Sequence, residues 1–323
     1  MRRREFITLL GGAAAWPLTA RAQQTGTPVI GILQGGSSWD FTGFRQGLKE
    51  AGYVEGQNLL IEYRWANNDA DRLPGLAADL VQRQVRAIIA FGSSPAVEAT
   101  KTATRRIPIV FGFGGDPVQR GLVTSLSRPE GNVTGMTSLS SELYGKQLGI
   151  LHALLPQNAH FGLLVDTKSP THEIIVKETQ AAASVIGWTF EVLNASTSRE
   201  IDAAFTRLAG ERRVQALLVS NDPLFLAQRV QVAILSARFL IPAMYPFREN
   251  AEAGGLLSYG PNLTDRDRQV GRYVGRILKG ENPANLPVMR PTKFELVLNL
   301  QTARAFSITV PPLLLAQADE VIE

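Results

Sequence analysis

Ile107-Pro108-Ile109-Val110-Phe111-Gly112-Phe113, followed by Gly114-Gly115-Asp116-Pro117, is the stretch on which the fold turns. A near-continuous apolar run of β-branched and aromatic residues suits a strand covered on both faces, the condition of a parallel sheet. The run stops in glycines, and a polar residue followed by proline then suits a helix start with proline at its first position. The same grammar recurs on either side. VIGIL at 29–33 leads into Gln34-Gly35-Gly36-Ser37-Ser38, and RAIIAF at 86–91 leads into Gly92-Ser93-Ser94-Pro95. Further on, FGLLVD at 161–166 leads into Thr167-Lys168-Ser169-Pro170, and VQALLVS at 214–220 into Asn221-Asp222-Pro223.

Other strands are expected at 59–65, 188–193, 241–245, 255–260 and 294–300. Helices are expected at 40–51, 71–84, 94–104, 142–155, 171–186, 199–208, 223–238 and 264–279, with a last helical piece ending at Val321. Strands alternating with helices define an α/β chain. One sheet holding them all would be unusually large, so two α/β lobes are the economical arrangement for 323 residues.

The first 22 residues have the order of an export signal. Arg2, Arg3 and Arg4 precede an apolar stretch to Trp16, Pro17 breaks it, and Ala20-Arg21-Ala22 is a small-x-small cleavage site. Arg3-Arg4-Glu5-Phe6 resembles a twin-arginine signal. Cleavage after Ala22 removes four of the arginines and one glutamate, which brings a chain of formal charge +4 close to neutral. The mature charge therefore gives no argument for a nucleic-acid partner. The absence of cysteine excludes disulfides, thiol chemistry and a lipid-anchored cysteine, so a freely soluble periplasmic protein is expected. His152, His160 and His172 have no paired ligands, so neither a metal nor a cofactor is expected.

Ligands of open parallel sheets sit beyond the carboxyl ends of the strands, where helix N-termini carry free N–H groups. Ser37, Ser38, Ser93, Ser94 and Asp116 stand at those ends in the first half, Asn221 and Asp222 in the second. Ser94, Asp116 and Asp222 also read as plain helix caps. The doublets Ser93-Ser94 and Asn221-Asp222 leave one residue of each pair free for another task. Tyr245, Glu249 and Tyr259 suit the ring and ammonium of an amphipathic solute, although both tyrosines could equally be core. Arg266, Arg268, Arg272 and Arg276 are expected on a solvated helix face. No G-x-G-x-x-G, no phosphate loop and no G-x-S-x-G elbow follows a strand. An exported hydrolase using Asp116 and Asp222 as acid and base is the competing enzymatic reading.

Further motifs carry a family resemblance. Asp116-Pro117 with Gly121-Leu122-Val123, Arg128-Pro129-Glu130-Gly131-Asn132-Val133-Thr134-Gly135, and Tyr245-Pro246-Phe247-Arg248-Glu249 begin it. Ser258-Tyr259-Gly260, Pro291-Thr292-Lys293-Phe294-Glu295, Val310-Pro311-Pro312 and Ala318-Asp319-Glu320 continue it. Together they resemble the ABC-transporter substrate-binding proteins of the tryptophan/tyrosine-binding-like family, whose members often carry Ser-Ser-Asp-Pro where this chain has Gly114-Gly115-Asp116-Pro117. The resemblance implies a type 1 periplasmic-binding-protein fold, with two doubly wound parallel-sheet lobes joined by three crossovers near 132–136, 255–260 and 287–291. Lobe 1 is then expected at 28–133 plus 261–287, and lobe 2 at 134–260 plus 288–323. It also implies a monomer that closes on a small amino-acid-like or carboxylate solute and delivers it to an ABC permease. A sensor presenting its closed form to a membrane receptor would use the same machinery.

Overall fold

The computed structural model describes residues 26–36, 39–138, 143–155, 159–211 and 214–323. The expected export signal, and Ser37 and Ser38, lie outside the described residues. The first lobe is built from β1 (Val29–Gln34), α1 (Thr42–Glu50), β2 (Leu60–Trp65), α2 (Leu73–Gln82), β3 (Ile88–Phe91), α3 (Ser94–Ala103), β4 (Ile109–Phe113) and β5 (Val133–Thr137). Its five strands run parallel in the order β2-β1-β3-β4-β5. The stretch expected as a crossover at 132–136 is thus an edge strand of this sheet before it leaves the lobe.

The second lobe follows with α4 (Tyr144–Leu154), β6 (His160–Val165), α5 (His172–Ile186), β7 (Thr189–Asn194), α6 (Ser198–Glu211) and β8 (Ala216–Val219). The expected helix at 223–238 is two pieces, α7 (Pro223–Ala227) and α8 (Arg229–Phe239), which part at Gln228. Next come β9 (Ala243–Tyr245), a short α9 (Arg248–Glu252) absent from the sequence reading, and β10 (Leu257–Pro261). From there α10 (Leu263–Leu278) returns to the first lobe, before β11 (Phe294–Asn299), α11 (Leu300–Ala305), α12 (Pro312–Gln317) and β12 (Glu320–Ile322) complete the second. The seven strands are ordered β12-β11-β10-β9-β8-β6-β7, and only the β10–β11 pair is antiparallel.

The tail ends in a strand where a helix was expected. The backbone N–H of Asp319 donates to Leu296 O at 2.9 Å, and the Asp319 carboxylate accepts from Leu296 N at 2.8 Å. These two bonds lay the last residues along β11, where each residue gains a ladder partner.

Each sheet is covered on both faces. In the first lobe, Phe44, Leu48, Phe91 and Val270 pack one face, while Leu80, Val97, Phe111 and Phe113 pack the other. The second lobe divides likewise, around Leu148, Phe161 and Ile175 on one side and Phe205, Leu217 and Val232 on the other. Doubly wound parallel-sheet lobes are therefore what the apolar strands produce.

Three connections join the lobes, after β5, after β10 and before β11. Two of them run side by side, since Thr137 N donates to Met289 O at 2.9 Å and Met289 N to Gly135 O at 3.0 Å. The third carries α10 onto α1 with almost no space between the backbones. A Cβ on Gly47 would lie 1.9 Å from Arg268 O, and one on Gly271 would lie 2.3 Å from Phe44 O. That contact fixes α10 to the first lobe and sets its N-terminal turn at the boundary between lobes.

Candidate functional site: the cleft between the lobes

A cavity of about 270 Å³ lies between the lobes. Its walls come from β1 and the following loop (Gln34, Gly36, Trp39, Asp40), from α7, α8 and α9 (Pro223, Leu226, Arg229, Glu249), and from the first turn of α10 (Leu263, Thr264, Asp267). A smaller one of about 20 Å³ shares Trp39, Pro223, Leu226 and Leu263 with it. Gly92, Gly114, Ser138, Asn221, Phe247 and Arg266 complete the smaller wall among the described residues.

Trp39 is the aromatic centre of the first-lobe wall. Its ring stacks on Phe91 with centroids 6.1 Å apart, and the Arg266 guanidinium carbon lies 5.5 Å from its ring centre. Its Nε1–H donates to Asp267 Oδ2 at 2.8 Å. Asp267 also accepts from Arg266 Nε at 2.9 Å. Both members of this ion pair are buried, with side chains 4% and 3% exposed. Burial pushes the Asp267 carboxyl up from the usual range, against the pull of Arg266 and Trp39.

The expected solvated face of α10 thus holds for three of its four arginines and fails for Arg266. Arg268 and Arg272 bind Glu50 on α1, and Arg276 binds Glu281, all at the surface. Arg266 instead shares the helix face of Val270, Tyr273 and Ile277, which all point into the first-lobe core.

Glu249 enters from the opposite lobe, at the first turn of α9. Its Oε2 is buried and has no hydrogen-bond partner. Burial raises its pKa above the ordinary carboxylate value, with the neighbouring Glu252 adding to the rise and Arg266 and Arg248 opposing it. Asp40 lines the same cavity, held ionised by its bonds to Thr42. Among the described residues that line it, the larger cavity therefore presents Asp40, Glu249 and Asp267 against the single cation Arg229.

The other expected site residues divide into two groups. Asn221 lines the smaller cavity, and its Oδ1 accepts from the Tyr144 hydroxyl at 2.8 Å. Ser93 and Ser94 sit at the end of β3 as expected but do not line either cavity, although Gly92 beside them does. The helix expected after Asp116-Pro117 is a turn at 117–121, and Asp116 caps that turn, accepting from Val118 N at 2.8 Å and Gln119 N at 3.1 Å. Asp222 is buried beneath the cleft and accepts from Ser220 Oγ at 2.6 Å and Asp166 N at 3.2 Å, with burial again raising its pKa.

Tyr245 and Tyr259 belong to the core side of their alternatives. Tyr245 is fully buried, its hydroxyl 3.1 Å from Ser236 Oγ, because its strand points that side chain under α8. Tyr259 stacks on Phe294 at 6.3 Å against the second-lobe core. The sequence reading missed Trp39, Ser138, Arg266 and Asp267. For Arg266 the signal was present, in its place on the apolar stripe of α10.

Residues 28–322 match the ABC transporter substrate binding protein family, and the chain belongs to it. A curated relative, the tyrosine-binding protein of Clostridioides difficile, is 27% identical over 266 residues, which cover 82% of this chain and 76% of the relative. Among solved structures, an ABC domain in complex with L-Trp from Streptococcus pneumonia superposes with a TM-score of 0.81 at 24% identity, covering 92% of this chain and all of that one. A ligand-free, open substrate binding protein with adhesive properties from Clostridium difficile superposes at 0.64 with 25% identity, covering 91% and 99%. Both support the type 1 periplasmic-binding-protein fold.

Proposed function

We propose that this chain is the periplasmic substrate-binding component of an ABC importer and takes one small amino-acid-like solute in the interlobe cavity. The observation that carries the reading is the buried, unpartnered Glu249 Oε2 on one wall facing a cavity whose other wall is Trp39 with the Arg266–Asp267 pair. A solute ammonium would donate to Glu249, and an aromatic or aliphatic side chain would lie against Trp39, Pro223 and Leu226. The volume, about 270 Å³, lies just below the roughly 300–1,000 Å³ of pockets for drug-sized ligands, which suits a single amino acid. What the relatives bind, tyrosine in one and L-tryptophan in another, supports the same class of solute.

Delivery works by hinge closure. The solute touches both lobes only when they are together, so its binding energy stabilises the closed form and presents a joint surface to the permease. Export with cleavage after Ala22 would place the mature chain, free and monomeric, in the periplasm. The hydrolase reading gains nothing from the structure, because Asp116 and Asp222 are both engaged by backbone N–H groups.

A thermal-shift panel of amino acids, aromatic amines and small carboxylates on the mature chain tests the reading. A solute at about 100 times its Kd adds roughly 2.7 kcal/mol of stability. If no solute in the panel raises Tm, the receptor reading fails.

A further inference from the structure

Charge in the first lobe is sorted along the strand axis. Asp40, Asp69, Asp71, Asp116 and Asp267 stand beyond the carboxyl ends of its strands, towards the cleft. At the opposite, amino-terminal edge stand Arg86, Arg105, Arg106 and Arg128, all exposed. Arg86 precedes β3, and its backbone N–H donates to Val29 O at 2.7 Å. Arg105 and Arg106 lead into β4, and Arg128 leads towards β5. The two approaches are tied together, because Asn132 Nδ2 donates to Thr104 O at 3.2 Å and to Ile107 O at 2.8 Å. Elsewhere in this lobe Arg45, Arg64, Arg83 and Arg120 each hold a carboxylate. The four edge arginines have neither an ion pair nor a side-chain hydrogen bond among the described residues. The carboxylates Glu50, Glu55 and Glu281 at that end are already taken by Arg268, Arg45 and Arg276. A cation just past a helix offsets the helix dipole, which accounts for Arg105 and Arg106 behind α3. Arg86 and Arg128 lie outside the last turn of any helix, so the dipole does not account for them.

The chain enters the fold at this same edge. Leu60 N donates to Pro28 O at 2.9 Å, beside the bond between Arg86 and Val29. The apolar stretch of the expected export signal ends at Trp16, and residues 17–27 have an extended reach of at most about 40 Å. Before cleavage, the arginine edge is therefore the part of the fold held most closely to the bilayer. Resting on the export reading above, we infer that this edge of the first lobe docks on anionic phospholipid headgroups through Arg86, Arg105, Arg106 and Arg128. Docked in this way, the cleft and its carboxylates point away from the lipid, towards the side from which solute arrives. Once the signal is removed, the attraction is electrostatic alone and is screened beyond about 8 Å at physiological salt. The mature chain can then leave the surface and turn its cleft to a permease.

Co-sedimentation of the mature chain with vesicles tests this without any contribution from the signal. The chain should pellet with vesicles containing phosphatidylglycerol and not with vesicles of phosphatidylcholine alone. Its partition should fall steeply as salt rises from about 0.05 to about 0.5 M. Each arginine near an anionic surface contributes roughly fivefold, so combining Arg86→Gln, Arg105→Gln, Arg106→Gln and Arg128→Gln should weaken partition at least tenfold, on the order of several hundredfold if all four touch lipid. Combining Lys146→Gln, Lys168→Gln, Lys177→Gln and Arg199→Gln removes the same charge from exposed positions of the second lobe and should change partition less than about twofold. All eight positions are exposed, so both variants should keep the wild-type Tm. If the wild type ignores phosphatidylglycerol, or binds phosphatidylcholine equally well, the docking surface is refuted and the receptor reading stands. If the two variants lose partition equally, net charge and not this edge is responsible, and the assignment is wrong. Amino-terminal sequencing of the periplasmic protein reads export separately. If the protein does not reach the periplasm, the ground for a bilayer as the occupant is removed.

Discussion

Replacing Glu249 with Gln separates the cost of the empty site from its value when filled. In the free protein the carboxyl group is buried with Oε2 unpartnered, and burial raises its pKa. A raised carboxyl pKa means the folded protein holds that proton more tightly than the unfolded chain does. Stability is therefore lost as pH rises from the ordinary carboxylate range through the folded pKa. Glu249→Gln keeps the shape and removes that loss. Its Tm should exceed the wild type's at neutral pH, and the gap should close as pH falls from about 7 to about 4. Ligand binding should move the other way. One charge-assisted hydrogen bond from a solute ammonium is worth about 1.5–3 kcal/mol, so the variant should bind an amino acid roughly 10–150-fold more weakly. Differential scanning calorimetry across pH reads the first effect, and titration calorimetry with L-tyrosine or L-tryptophan reads the second. A variant that binds as tightly as the wild type would refute the role given to this carboxylate.

Other substitutions probe the frame around the site. Asp267→Asn leaves Arg266 buried without its counter-charge and should cost about 3–5 kcal/mol of stability by denaturant melts. Gly47→Ala forces a Cβ into the Arg268 carbonyl of α10 and should cost about 1–3 kcal/mol in the same melts. Tyr245→Phe removes a hydroxyl contact to Ser236 under α8, so it should cost about 1 kcal/mol and leave solute affinity unchanged in a titration. A large affinity loss in Tyr245→Phe would return that residue to the site.

The strands were legible because burial on both faces makes them near-continuous apolar runs, and β1, β3, β4, β6 and β8 all follow that rule. Short elements set by tertiary contact were not. Helix α9 has five residues, and β12 exists because Asp319 ties the tail to β11. Two of the expected site residues were legible in the same sense. Asn221 and Glu249 follow strand ends and line the cleft, as expected of ligand loops. Tyr245 and Tyr259 lie close to them in sequence, but strand pleat turned both away, and aromatic type alone does not report direction. Arg266 was hidden by its neighbours Arg268, Arg272 and Arg276. Those three repeat every four residues along one exposed stripe, whereas Arg266 is displaced by two residues onto the buried one. Trp39 and Ser138 follow strands β1 and β5, and nothing local marks them. Only the meeting of the two lobes makes them part of one wall.

The most direct test of the account is a crystal structure of the mature chain with a solute selected by the thermal-shift panel. The account predicts one solute per chain, with its ammonium on Glu249 and its side chain on Trp39. A solute bound with full occupancy outside the interlobe cleft would contradict it.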